Sequence, residues 1–239
     1  MMKRIAALVL VGVCGLQMKA QDEPAWQRDL ANRHEALVAS NGPGTDAGLR
    51  DQLLKMMAED QDARGIVNGK PKAKDTMMVA SNLNEIDAAL TAQLKDIVKA
   101  HGWPTIALVG YDASNGAVLI LIHSRDHAWQ REMLPQLEAY ADEGKIDGSQ
   151  VAVAIDKELV SEGKLQRYGT QFKSVDGGMA MYAVEDPGGL DAKRAAVFLP
   201  PLAAYKKMLS DIYHLQATDK IVMATPPATA PAAVPAAAP

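Results

Sequence analysis

The sequence predicts a single, mostly helical α+β domain with one small antiparallel β-hairpin. Three observations carry that expectation. Apolar residues recur at three- and four-residue spacing along most of the chain, the mark of amphipathic helices. Asp176-Gly177-Gly178 between two β-prone runs is the one clear hairpin signature. A length of 239 residues with 48% hydrophobic content suffices for one core of this kind.

The chain opens as an export signal. Lys3 and Arg4 supply the positive start, Ile5 to Leu16 the apolar middle, and Ala20 a small-residue cleavage point. The apolar run falls short of the roughly 20 residues a membrane span needs, so the mature form is expected to have no span and to lie in the periplasm or be secreted. Cys14, the only cysteine, sits inside this run behind Val11-Gly12-Val13, which makes lipid attachment there the weaker alternative. With residues 1–20 removed no thiol remains, which excludes a disulfide framework, a cysteine nucleophile and a cysteine-based zinc site.

Residues 21–47 read as a helix around Trp26 to Val38 and a link through Asn41-Gly42-Pro43-Gly44; the globular domain is expected over 48–216. Leu49, Leu53, Met56 and Met57 share one side of a helix that runs into Asp60 and Arg64, one turn apart. That pair is either an exposed i,i+4 ion pair or, with Gln61, part of a cleft rim. Leu83, Ile86, Leu90, Leu94, Ile97 and Val98 give the cleanest amphipathic helix, closed by Gly102 and Pro104. His101 and Trp103 are thereby pinned to a rigid corner.

Val118 to Ile122 is an unbroken apolar run that periodicity cannot assign; Ser114 as an N-cap favours helix, the β-branched residues keep a strand open, and either belongs to the core. Asp126 caps a helix through Trp129, Met133, Leu137 and Tyr140. Val151 to Leu159 forms a helix or strand ending at Gly163. Gln166 to Lys173 and Met179 to Val184 flank the hairpin turn. Asp191 caps a short helix carrying Arg194, and Pro200-Pro201 opens a last amphipathic helix through Leu202, Tyr205 and Leu209. From 217 to 239 the chain turns to Ala and Pro, a composition that builds no core and predicts a disordered tail.

With 25 basic and 29 acidic residues interspersed and a net charge of -4, no basic patch suits a phosphate backbone, so nucleic acid is not an expected partner. His123 and His127 lie four apart around Asp126, but an N-cap between them breaks the shared helix face a metal would need, so no metal is expected. No motif assigns a cofactor. The sequence does offer a surplus of side chains able to hold a polar ligand. His123 and His101 are the candidate proton carriers, with Asp156 as orienter, because imidazole titrates near neutral pH. Trp103, Gln130, Gln166, Tyr168, Thr170, Gln171, Arg64, Asp60 and Arg194 are the candidate substrate contacts, their amides, hydroxyls and guanidinium groups being fixed donors and acceptors rather than nucleophiles.

Glu59-Asp60-Gln61 with Arg64, His101-Gly102-Trp103-Pro104, His123 with Gln130, Tyr168-Gly169-Thr170-Gln171 and Glu185-Asp186-Pro187 with Asp191 and Arg194 together resemble an exported bacterial family known only as a domain of unknown function. The resemblance spans about Gly48 to Leu209 and implies that these clusters form one unit, without implying an activity. Three functions stay open: a hydrolase or lyase on a small polar or envelope-derived substrate, a non-catalytic binding module for a peptide, glycan or small polar ligand, and a structural envelope protein with its tail as spacer. The first two require the candidate side chains to converge on one hollow.

Overall fold

Asp46 accepts a hydrogen bond from the Leu49 amide at 2.9 Å and so starts the first core helix, α2 (Ala47–Ala63), which buries Leu49, Leu53 and Met56. The structure is a computed structural model that describes residues 24–67 and 79–225, with the backbone alone of 4–5 and 70–71. Most of the expected export signal, and the Ala/Pro stretch from 226, lie outside the described residues. Ahead of α2, helix α1 (Ala25–Asn41) lies on the outside with Leu37 as its one buried residue. Arg33 ties it to the carbonyls of Ala195 and Ala196, and Asn41 to that of Gly144.

Helix α3 (Leu83–His101) buries Leu90, Leu94 and Ile97 and ends at Gly102, as its period and stop signals predict. After the single turn α4 (Ile106–Val109), the ambiguous apolar run proves to be helix: α5 (Tyr111–His123) buries every residue from Gly116 to Ile122. A helix apolar all round belongs at the centre of a bundle. Here α2, α3 and α7 (Gly148–Ser161) surround it, so its β-branched residues are set by burial rather than by strand propensity. Each fully buried Ile or Leu contributes about 1.5–3 kcal/mol, which makes α5 the main apolar anchor. Helix α6 (His127–Asp142), capped by Asp126 as expected, packs on α7.

The sheet is small and lies at one end. After β1 (Arg4–Ile5), β2 (Ile66–Val67) and β3 (Lys70–Pro71), the hairpin β4 (Phe172–Val175) and β5 (Gly178–Tyr182) pairs Phe172 with Met181 and Val175 with Gly178. Gln166 keeps one backbone bridge to Val184, but residues 167–171, expected to lengthen the first hairpin strand, are loop instead, because the Arg167, Tyr168 and Thr170 amides donate to the Asp156 carboxylate. Helices α8 (Leu190–Ala196) and α9 (Leu202–Tyr213) then cross back to β6 (Ala217–Val222), which lies parallel to β5 within the stretch expected to be tail. Gly178, at φ 150°, makes that entry feasible, since a Cβ there would collide with the Gln216 carbonyl. Arg4–Ile5 sits antiparallel against the outer edge of β4.

Candidate functional site

Three helix segments bring charge together at one end of α5. The last turn of α2 supplies Asp60, Gln61 and Arg64, α3 supplies Asp87, and the final residue of α5 is His123. Asp60, 1% exposed, is the hub. Its Oδ1 accepts from Arg64 Nη1 at 2.8 Å and meets His123 Nδ1 at 2.7 Å, while its Oδ2 accepts from Gln61 Nε2 at 2.8 Å. Arg64 Nη2 donates to Asp87 Oδ1 at 2.7 Å, so one guanidinium bridges two buried carboxylates.

His123 is held in register by what happens just behind it. Gln130 Nε2 donates to the carbonyls of Leu121, Ile122 and Ser124 at the end of α5, where helical partners run out. Lys157 Nζ on α7 also donates to the Ile122 carbonyl. Next to it, buried Glu158 is engaged by His127 Nδ1 at 2.7 Å and Arg131 Nη1 at 3.3 Å. His123 and His127 therefore turn to different carboxylates, and among the described residues no group of three His, Cys, Asp or Glu side chains could hold a metal ion.

Burial pushes the His123 imidazole below its ordinary value of 6.5. Asp60 pulls the other way, while the charges of Arg64 and Lys157 lower it further. A folded-state pKa below the unfolded one means that the native protein binds fewer protons there, so stability falls as pH drops below about 6.5. In urea titrations between about pH 6.5 and 5, before carboxylates dominate, His123→Gln is expected to remove a large part of that slope.

A second cluster lies on the other side of α7. Asp156, fully buried, accepts from the Arg167 amide at 2.7 Å, the Tyr168 amide at 3.1 Å, the Thr170 amide at 3.0 Å and the Thr170 hydroxyl at 2.9 Å. Burial pushes its carboxyl up and these donors pull it back. Gln166 closes the loop from within, donating to the Gln171 and Tyr182 carbonyls and accepting from the Gln171 amide. Gln171 Nε2 donates to Thr170 Oγ1. Beneath it Arg194, fully buried, donates to the Tyr168 and Pro200 carbonyls and lies 4.6 Å from the Tyr205 ring. Gly169, at φ 65°, allows the sharp turn over Leu190 and Met181.

The candidate side chains thus divide and do not converge on the one hollow expected of them; the hollow at Tyr168 is lined by none of the His123 group. Asp60, Arg64 and His123 meet directly, with Gln130 behind them. Asp156, Gln166, Thr170, Gln171 and Arg194 form the loop clasp, in which nearly every hydrogen-bonding group already has a protein partner. Asp156 and Lys157 are consecutive on α7 and point about 100° apart, which sends one to each cluster. His101 is exposed at the far end of α3, about 21 Å along the helix from Asp87 at 1.5 Å per residue. Trp103 is core. Half-buried Tyr168 borders a shallow hollow of roughly 300 Å³ with Asp142, Arg167 and Lys193.

Sequence reasoning missed Asp87, Lys157 and Glu158. Asp87 falls on what reads as the polar face of an amphipathic helix. For the other two a signal existed: three charged residues, Asp156-Lys157-Glu158, directly follow the apolar run Val151 to Ile155 in a segment too buried to shed them all to solvent.

The profile of a family of unknown function (DUF6624) matches residues 47–218, from the start of α2 into β6, and so takes in both clusters. No curated protein and no solved structure matches the chain. The matched stretch is most of the chain and contains the whole helical core around α5; the protein belongs to this family of unknown function.

Proposed function

We propose that the chain is an exported acid–base enzyme, a hydrolase or lyase on a small polar substrate, with His123 as the proton carrier. One observation carries the reading: the 2.7 Å contact of Asp60 Oδ1 with His123 Nδ1, made by a carboxylate itself clamped by Arg64 and Gln61. A clamped carboxylate fixes the ring and favours the tautomer with the proton on Nδ1, leaving the Nε2 lone pair to take a proton. A depressed proton affinity keeps that lone pair available at neutral pH, and Asp60 stabilises the imidazolium once it forms. Among the described residues no serine or cysteine is bonded to His123, which favours activation of water, or removal of a proton from substrate, over covalent attack. The orienting role falls to Asp60 rather than Asp156, whose oxygens are occupied by the loop. The signal-like first twenty residues support a site of action outside the cytoplasm.

Long-range nitrogen–proton spectra of the histidine rings test the reading, together with turnover of p-nitrophenyl acetate and p-nitrophenyl phosphate. The expected result is a single Nδ1-protonated tautomer of His123 that is lost in Asp60→Asn, and turnover about a hundredfold lower in His123→Gln. Equal turnover by wild type and His123→Gln, or a ring with no preferred tautomer, overturns it. A second reading, a non-catalytic binding module, is favoured by the separate hollow at Tyr168; there a ligand would bind with Tyr168 as its contact face and be indifferent to His123.

A further inference from the structure

Lys157 is a half-buried ammonium group that donates to a backbone carbonyl, that of Ile122, the residue immediately before His123. The carboxylates that act on it electrostatically are Glu158 and Asp87. Each is bonded to another cation: Glu158 to Arg131 and His127, Asp87 to Arg64. Among the described residues no carboxylate lies within ion-pair distance of Lys157. An ammonium has three N–H donors, and one is placed by the Ile122 carbonyl. Retaining such a group in a partly desolvated place costs stability, and a cation kept at that cost beside a proton carrier is best accounted for by an anion that arrives from outside.

Charge counting points the same way. Asp60 and Asp87 balance Arg64 and Lys157 while His123 is neutral. When His123 takes a proton the group becomes positive by one, which a negative charge on the substrate offsets at that moment. Arg64 is not available for this, since both of its terminal nitrogens are held by carboxylates.

We propose that Lys157 is the anion-holding group of the His123 site and that the substrate carries a carboxylate or phosphate next to the reacting position. The proposal rests on the acid–base reading for its chemistry, but the anion site itself can be tested apart from turnover.

Inorganic phosphate and acetate are titrated separately into the full chain at one fixed pH, with the His123 ring resonances as the readout. Saturable movement of those resonances is expected, and the anion that binds more tightly tells which source of negative charge the site takes. Lys157→Met is expected to weaken that binding by about tenfold or more, the scale of one lost charge-assisted hydrogen bond. The same variant is expected to raise Tm by a few degrees, because an apolar side chain of similar length replaces a buried charge and Gln130 still reaches the Ile122 carbonyl at 3.3 Å. Lys157→Arg keeps the binding. A lowered Tm with unchanged anion affinity in Lys157→Met makes the lysine a helix cap and overturns the proposal, as does the failure of both anions to move His123. In His123→Gln, phosphate binding followed at Lys157 is expected to persist. If it persists while wild type turns over neither ester, the acid–base reading fails and the anion site stands.

Discussion

Asp156→Ala is expected to destabilise the protein by roughly 4 kcal/mol, a large share of a typical domain's total, and equilibrium urea unfolding measures it. The carboxylate, itself fully buried, takes three backbone N–H groups and the Thr170 hydroxyl. Each donor left without an acceptor costs about 1–3 kcal/mol, reduced where the loop relaxes or a water enters. Asp156→Asn is expected to rescue little. A carboxylate offers acceptors alone, whereas an amide in either orientation turns its NH2 toward a backbone N–H. Thr170→Val, which removes one donor and keeps the carboxylate, should cost far less, and the contrast separates loss of the hub from loss of one spoke. Hydrogen exchange at the 167, 168 and 170 amides gives the local check: in Asp156→Ala these open together and well below the global unfolding free energy.

That clasp also shows what the sequence could and could not convey. The helices α2, α3, α6 and α9 announce themselves because each turns one apolar face inward, and period plus caps is all that such a face requires. The hairpin turn is equally local. Helix α5 is harder, since a segment buried on every side has no period to read; its burial comes from the three helices around it. Strand β6 is invisible for a related reason: Ala-Thr-Asp-Lys-Ile-Val is not a strong β former, and its pairing depends on two helices carrying it back alongside β5.

The polar residues divide by the same logic. Tyr168-Gly169-Thr170-Gln171 stands out as a hydrogen-bonding cluster, yet composition cannot say whether its partners come from a ligand or from Asp156, Gln166 and Arg194. Asp60 and Arg64 are legible as a pair at i,i+4. Their burial, and their meeting with Asp87 and His123 from two other helices, is a tertiary fact with no local trace. His101 carries the opposite lesson: a rigid corner fixes where a side chain is, not what it faces.

Arg64→Met should be the second most damaging change, with a loss of roughly 3–5 kcal/mol near neutral pH, because it removes the cation that two buried carboxylates share. Its pH dependence is expected to be shallower than that of wild type. In wild type Arg64 helps hold the His123 proton affinity down, so stability declines as pH falls below about 6.5. Without Arg64, Asp60 has His123 as its remaining cationic partner, and the folded-state affinity of that imidazole for a proton rises. Burial still holds that affinity below its ordinary value, but by less than in wild type, so the native variant excludes fewer protons and loses less stability as pH falls. The gap between the two proteins should therefore narrow as pH is lowered from about 6.5 to 5. Urea midpoints across that range measure it. A constant gap would mean that Arg64 acts through packing alone and that His123 and Asp60 are not electrostatically joined. Arg64→Met combined with Asp87→Leu gives a second reading of the same bridge: if one guanidinium serves both carboxylates, the double variant is more stable than the sum of the two single losses by about 1–3 kcal/mol.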